Sequence, residues 1–323
     1  MSNKIDFSKY LVRCSQISKI TGSALLGISD LDNEIKDLLE EKLTLKSKSG
    51  RTVKWTETKQ KSLDSKQAKR KESVVVNGLI LPKTMVSELR KIYRMEKYNR
   101  NFPFTNQYIQ KGIQQEEEAI TLYQNYRNAK GIRTLFSKNT ERIKNGWVSG
   151  EPDLGQQGVP ILEWKEGWDT KCSWSLETFP FPEDDLVAGY EAQNQGYMWL
   201  TGAEKWTTVS VLVNATEHQV NNEKQKWFYS LQMPADEDDR YWEDYVEKCR
   251  EVEKMMIYDY ERFVHNNPAH DMEISKDEWF GEGYDIPLEE RVLEKTTEFD
   301  PKAIEFYKER IELGREYLEK LSL

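Results

Sequence analysis

Asp153, Asp169 and Lys171 are the residues whose types and spacing best suit chemistry. They lie in Gly150-Glu-Pro-Asp153-Leu and in Trp168-Asp169-Thr170-Lys171-Cys172. Residues two apart on a strand face the same side, so Asp169 and Lys171 point together and Thr170 points away. A preceding strand lying alongside adds Asp153. Two carboxylates then hold a hard divalent cation with an ammonium in reach. Phosphodiester hydrolysis uses such a set: the cation polarises a phosphoryl oxygen, and the lysine orients or deprotonates a water and offsets developing charge.

A second acid-x-lysine, Glu163-Trp-Lys165, lies upstream. It is closer to Asp153 and fits a short hairpin, whereas Asp169 needs a longer connection. Residue types alone leave both pairs open.

Several elements must position these groups. Residues 15–26 and 30–43 read as short helices, with Ser15 and Asp30 as N-caps. Residues 44–74 are rich in Lys, Ser and Thr with weak periodicity, and read as a loop or mobile segment. A helix is expected from Pro82 to about 98 and another from about 105 to 128, with an apolar stripe at Ile109, Ile113, Ala119, Ile120 and Tyr123. Strand patterns occupy 132–136, 146–154, 159–174, 206–214 and 226–232, with a helix at about 184–202 among them. Beyond 235 the chain reads as helical, over 236–265 and 300–321. This order predicts an α/β core in residues 1–235, carrying a basic insertion at about 42–74, and an acidic helical extension over 236–323.

Composition narrows the chemistry. Cys14, Cys172 and Cys249 are scattered, too few for an iron–sulfur cluster and unsuited to a disulfide framework. His218, His265 and His270 form no zinc pattern. Any metal is therefore held by oxygen ligands, which suit Mg²⁺ or Mn²⁺. No apolar run is long enough to span a membrane and the N-terminus lacks a secretory core, which places the protein in the cytoplasm. The net charge of −9 is unevenly spread: residues 42–72 carry eleven Lys and Arg against three acids, whereas 236–323 carry 27 acids against 13 bases. The basic stretch suits a phosphate backbone, or else a solvated insertion.

These residues together resemble the PD-(D/E)XK nuclease superfamily, and more closely its phage branch of lambda exonuclease and YqaJ-like recombination nucleases. The segment from Lys111-Gly through Glu116 and Ala119 to Tyr123 is similar to the family's G-x-x-x-E-x-x-A-x-x-x-Y helix. The run from Asp169 to Pro180 resembles the strand and turn of the phage members, and on this likeness Asp169 and Lys171 are preferred to Glu163 and Lys165. Gln193 and Tyr197 resemble the Q-x-x-x-Y motif of RecB-type nucleases. Arg13-Cys-Ser15 resembles a segment used to bind a DNA phosphate.

The resemblance implies a restriction-endonuclease-like core, a mixed central sheet flanked by helices, with further C-terminal helices. It implies one or two Mg²⁺ or Mn²⁺ ions on Glu116, Asp153, Asp169 and the Thr170 carbonyl, with Gln193 bordering the site and Arg13 and Ser15 on DNA. It also implies duplex ends or single strands as substrate, a single-strand annealing protein as partner, and an oligomer. Exonuclease action is the first reading. A structure-specific or sequence-tolerant endonuclease is the alternative, and an inactive DNA-binding nuclease fold the third. Without the resemblance, the Glu116–Glu118 run reads as solvated helix surface, Gln193 as a backbone cap, Tyr197 as packing and Arg13 as an ion-pair partner.

Overall fold

The computed structural model describes residues 5–100, 106–230, 239–267, 276, 280–281 and 283–323. The chain forms two compact units. One comprises residues 1–102, 144–149 and 300–323, and the other 103–143 and 150–299.

In the first unit β1 (Val12–Arg13) runs parallel to β7 (Val148–Gly150), which neighbours β6 (Ile143–Lys144). A short 3-10 turn and α1 (Ile17–Thr21) follow β1, so the helix expected over 15–26 is shorter than its pattern. The strands β2 (Leu26–Gly27), β4 (Leu79–Ile80) and β3 (Val75–Val76) make a small antiparallel sheet. The remaining helices are α2 (Ile28–Thr44), α3 (Glu57–Glu72), α4 (Lys83–Tyr98) and α11 (Pro301–Ser322).

The existence of α3 corrects the loop expected at 44–74. Its own hydrophobic periodicity is weak, and charge pairing with α2 holds it in place instead. Lys59 pairs with Glu41, Lys66 with Glu34, and Arg70 with Asp32, while Lys48 pairs with Asp37. Thr56 caps the helix by accepting from the Lys59 backbone N–H at 3.3 Å. The α2 acids therefore answer much of the local positive charge.

The second unit is built on a five-stranded mixed sheet in the order β11-β10-β9-β8-β5. These are β5 (Phe136–Lys138), β8 (Leu154–Gln156), β9 (Glu166–Cys172), β10 (Lys205–Val211) and β11 (Val292–Glu298). β9 and β10 are parallel and joined through α7 (Ala188–Thr201), while the other pairs are antiparallel. The stretch 146–154 thus divides between β7 and β8.

Helices α5 (Gln107–Gln114) and α6 (Glu116–Ala129) break at Gln115, where one helix was expected. α6 buries Ala119, Leu122, Tyr123 and Tyr126 against Leu154, Trp168, Val209 and Val211. On the opposite face, Asn194 of α7 donates to Thr208 Oγ1 at 2.9 Å and Thr297 Oγ1 at 3.2 Å. Two glycines permit close approach: a Cβ on Gly155 would stand 2.0 Å from the Trp164 indole, and one on Gly167 2.2 Å from Trp206.

Three further expectations are corrected in this unit. Residues 226–230 are the end of α8 (Glu217–Ser230), not a strand; 231 and 232 lie outside the described residues. The helix expected over 236–265 is two helices, α9 (Asp239–Met256) and α10 (Tyr260–Asn266), with 236–238 outside the described residues. The Asn214 side chain accepts from the Tyr258 and Asp259 N–H groups, and Asp259 caps α10, so the backbone has partners at the break. Finally, β11 arises from the stretch read as wholly helical. No helix of the described residues is long and apolar enough to cross a membrane.

Candidate active site

The antiparallel register sets Leu154 of β8 against Trp168 of β9. Both side chains enter the α6-facing core. The next positions, Asp153 and Asp169, oppose each other on the other face. Burial first, and the Asp169 charge second, push the Asp153 carboxyl up to about 9. Asp169 is 1% exposed. The Lys171 ammonium pairs with it, and its oxygens have no other partner among the described residues.

Lys171 is on the same face of β9, two residues on. Burial opposes its charge, but the carboxylates of Asp169 and Asp153 outweigh that and raise its pKa. Its Nζ also lies 5.1 Å from the centre of the Tyr190 ring, in the first turn of α7. Thr170 faces the core, with a buried hydroxyl lacking a partner among the described residues.

Glu116 opens α6 and contributes to raising the Asp153 carboxyl. Its Oε2 accepts from Lys138 Nζ at 2.9 Å. Its neighbours differ: Glu118 takes a two-pronged contact from Arg262 at 2.7 and 2.8 Å, while Glu117 is exposed. Among the described residues no three carboxylates, imidazoles or thiols close on one point as a metal cage. The nearest approach to one is an all-oxygen set whose pair, Asp153 and Asp169, retains a proton. That is a fit for a hard cation able to take the proton's place, and a poor fit for zinc.

The alternative pair is placed elsewhere. Glu163 ends a 3-10 turn (Ile161–Glu163) and is exposed. Lys165 is also exposed and faces Glu204 at 3.9 Å. Gln193 donates to Tyr197 Oη at 2.7 Å, and that hydroxyl donates to the Glu151 carbonyl at 3.3 Å, two residues before Asp153. Arg13 and Ser15 are exposed residues of the other unit.

Three residues escaped sequence reasoning: Lys138, Tyr190 and Lys111. Lys111 is fully buried and donates to the Trp174 carbonyl at 2.9 Å, with Tyr258 5.5 Å from its Nζ. Burial drives its pKa down to about 7. Cys172, beside Lys171, is pushed up by burial to about 11 and is not a nucleophile at neutral pH.

A solved structure shares this arrangement of helices and sheet. A phage-related exonuclease from Haemophilus somnus 129PT matches across 97% of this chain and 95% of its own, with a TM-score of 0.54 and 24% identity. The chain has the fold of a phage exonuclease. The alkaline exonuclease LHK-Exo of Laribacter hongkongensis is more distant, at 12% identity and a TM-score of 0.42 over 75% of this chain and 82% of its own. The same enzyme in complex with dAMP gives the same identity and score, over 83% of its length. No protein-family model and no curated protein sequence matches the chain. Asp153, Asp169 and Lys171 share one face of that sheet, with Lys171 paired to Asp169.

Proposed function

We propose that this chain is a metal-dependent deoxyribonuclease, an exonuclease that hydrolyses DNA phosphodiester bonds. The observation that carries the reading is the pairing of Asp153 with Asp169 across β8 and β9, with Lys171 held against it. The shared fold with a phage-related exonuclease supports it, and we read the sheet and its flanking helices as a restriction-endonuclease-like core.

Asp153 and Asp169 hold one or two Mg²⁺ or Mn²⁺ ions, with Glu116 and the Thr170 carbonyl completing the oxygen set. A bound ion supplies Lewis acidity at the scissile phosphate. Lys171, kept charged by its two carboxylates, donates to the attacking water or a phosphate oxygen and offsets charge as it develops. Gln193 steadies Tyr197, which tethers the backbone leading into Asp153. Arg13 and Ser15 contact a DNA phosphate, as the family resemblance implies. The placement of Asp169 and Lys171 on the sheet, against the exposed Glu163 and Lys165, supports the downstream pair.

On this reading the protein processes DNA ends during phage-type recombination in the bacterial cytoplasm, alongside a single-strand annealing protein and as an oligomer. Digestion of end-labelled linear duplex, single strand and covalently closed circle with Mg²⁺ tests it. Loss of linear DNA with the circle intact is the expected result. Cutting of the circle makes the protein an endonuclease, and intact DNA in every lane overturns the enzymatic reading.

A further inference from the structure

A second feature adjoins Lys171. A cleft of 270 Å³ opens beside it, walled by Tyr108, Trp174 and Tyr190, with Lys171, Ser210 and Lys295 along the sheet side. The register explains how Lys295 arrives there. Asp169 pairs with Thr208, and Thr208 with Lys295, so the three lie in one row across β9, β10 and β11 on the same face. Two strand spacings separate Asp169 from Lys295, about 9.5 Å of backbone. A phosphate at Lys295 is therefore the neighbour of a phosphate at Asp169, not the same group.

The remaining walls are largely apolar and aromatic, with the hydroxyls of Ser173 and Thr178 among them. The Tyr108 and Trp174 rings meet edge to face with centres 5.3 Å apart. Trp174 is fixed from behind, since Lys111 holds its carbonyl and its ring belongs to a buried cluster. Tyr108 is half exposed at the mouth. Asp185 is the single acid of the lining, and it is exposed at the lip. Among the described residues Lys295 has no carboxylate within ion-pairing distance. Ser210 adds a hydroxyl next to it. The volume lies just below the ~300–1,000 Å³ of drug-sized pockets, which is room for one nucleotide and not for a base pair.

We propose that this cleft binds the single unpaired nucleotide adjoining the scissile phosphate, its base against Tyr108 and Trp174 and its phosphate on Lys295. The inference rests on the nuclease reading and deepens it. An exposed aromatic ring accepts any base, because every base has a π-face, so the cleft selects strand state and not sequence. A paired end must fray by one nucleotide before it seats, which makes Lys295 and Tyr108 positioning residues for the cut strand.

Binding measured without cleavage tests this. The full chain is titrated in EDTA into a fluorescent short oligothymidylate and into the same sugar-phosphate strand with abasic residues. Tyr108→Ala should weaken binding of the oligothymidylate roughly tenfold and leave the abasic strand unchanged. Lys295→Ala should weaken both roughly tenfold and flatten the salt dependence, and Lys295→Arg should restore them. Equal losses on both strands for Tyr108→Ala, or wild-type binding by Lys295→Ala, overturn the cleft. Mg²⁺-dependent digestion by the wild type, run in parallel, separates the two ideas. Digestion with unaffected variant binding sinks the cleft alone, whereas the expected binding losses without digestion uphold the cleft and sink the nuclease.

Discussion

Lys171 stands between two partners, the carboxylate of Asp169 two residues before it on β9 and the ring of Tyr190 at the start of α7. Anion and aromatic face both favour the charged ammonium, so on the proposed reading the lysine would meet the substrate as a cation in a fixed direction. Lys171→Ala should lower kcat by roughly 10²–10³-fold, the scale for removing one preorganised donor, with DNA binding retained. Lys165→Ala, at an exposed pair, should stay within about twofold. Single-turnover kinetics on linear duplex decide between them, and a dead Lys165→Ala reverses the assignment.

Asp153 makes metal-free stability depend on pH in an unusual direction for a carboxylate. Its folded pKa is raised from 3.8 to about 9, so between these values the folded state binds more protons than the unfolded one. The stability this one group contributes is fully present below about pH 4 and is lost as pH rises toward 9. Asp153→Asn cannot ionise there. In EDTA it should become more stable than the wild type at pH 8, by a margin that shrinks toward pH 5. Urea unfolding at the two pH values reads this directly.

Glu116 is committed to Lys138 at 2.9 Å in this arrangement. If it serves as the third oxygen ligand, the ion and Lys138 compete for the same carboxylate. Lys138→Ala should then tighten Mn²⁺ binding several-fold, and Glu116→Gln should weaken it, by calorimetric titration. Unchanged affinity in both variants removes Glu116 from the ligand set.

Lys111 has the opposite linkage. Its pKa falls from 10.5 in the unfolded chain to about 7 in the folded one, through burial. Between those values the unfolded state holds the extra proton, so stability climbs with pH. The wild type should gain on Lys111→Met between pH 7 and 10, with the difference flat below pH 6. A constant difference across that range would show that Lys111 does not titrate as its burial requires.

The placement of the candidate residues was readable where side-chain alternation and register act together. Asp169 and Lys171 share a strand face by alternation alone, whereas Glu116 was singled out by the family resemblance and its place at the start of α6 came only with the break at Gln115. The misses have a common cause. α3 has little amphipathic pattern and is held instead by ion pairs to α2, and β11 hides its strand character in Glu294-Lys-Thr-Thr-Glu298, a polar run typical of a sheet edge. The break between α9 and α10 is set by the Asn214 side chain, more than forty residues away in sequence. Lys138 and Tyr190 join the site only through tertiary placement, and no spacing signals them.

The position of β11 has a practical consequence for handling the protein. A chain shortened after residue 235 keeps Asp153, Asp169 and Lys171, and on the sequence alone looks like a self-sufficient enzyme. It would leave the whole of Lys205–Val211 with its hydrogen-bonding edge open, including the otherwise buried Trp206, Val209 and Val211. Such an edge recruits the nearest available strand, and in a concentrated solution that is another molecule's. β11 is thus a seal on the sheet, and the minimal soluble fragment should extend at least through Glu298.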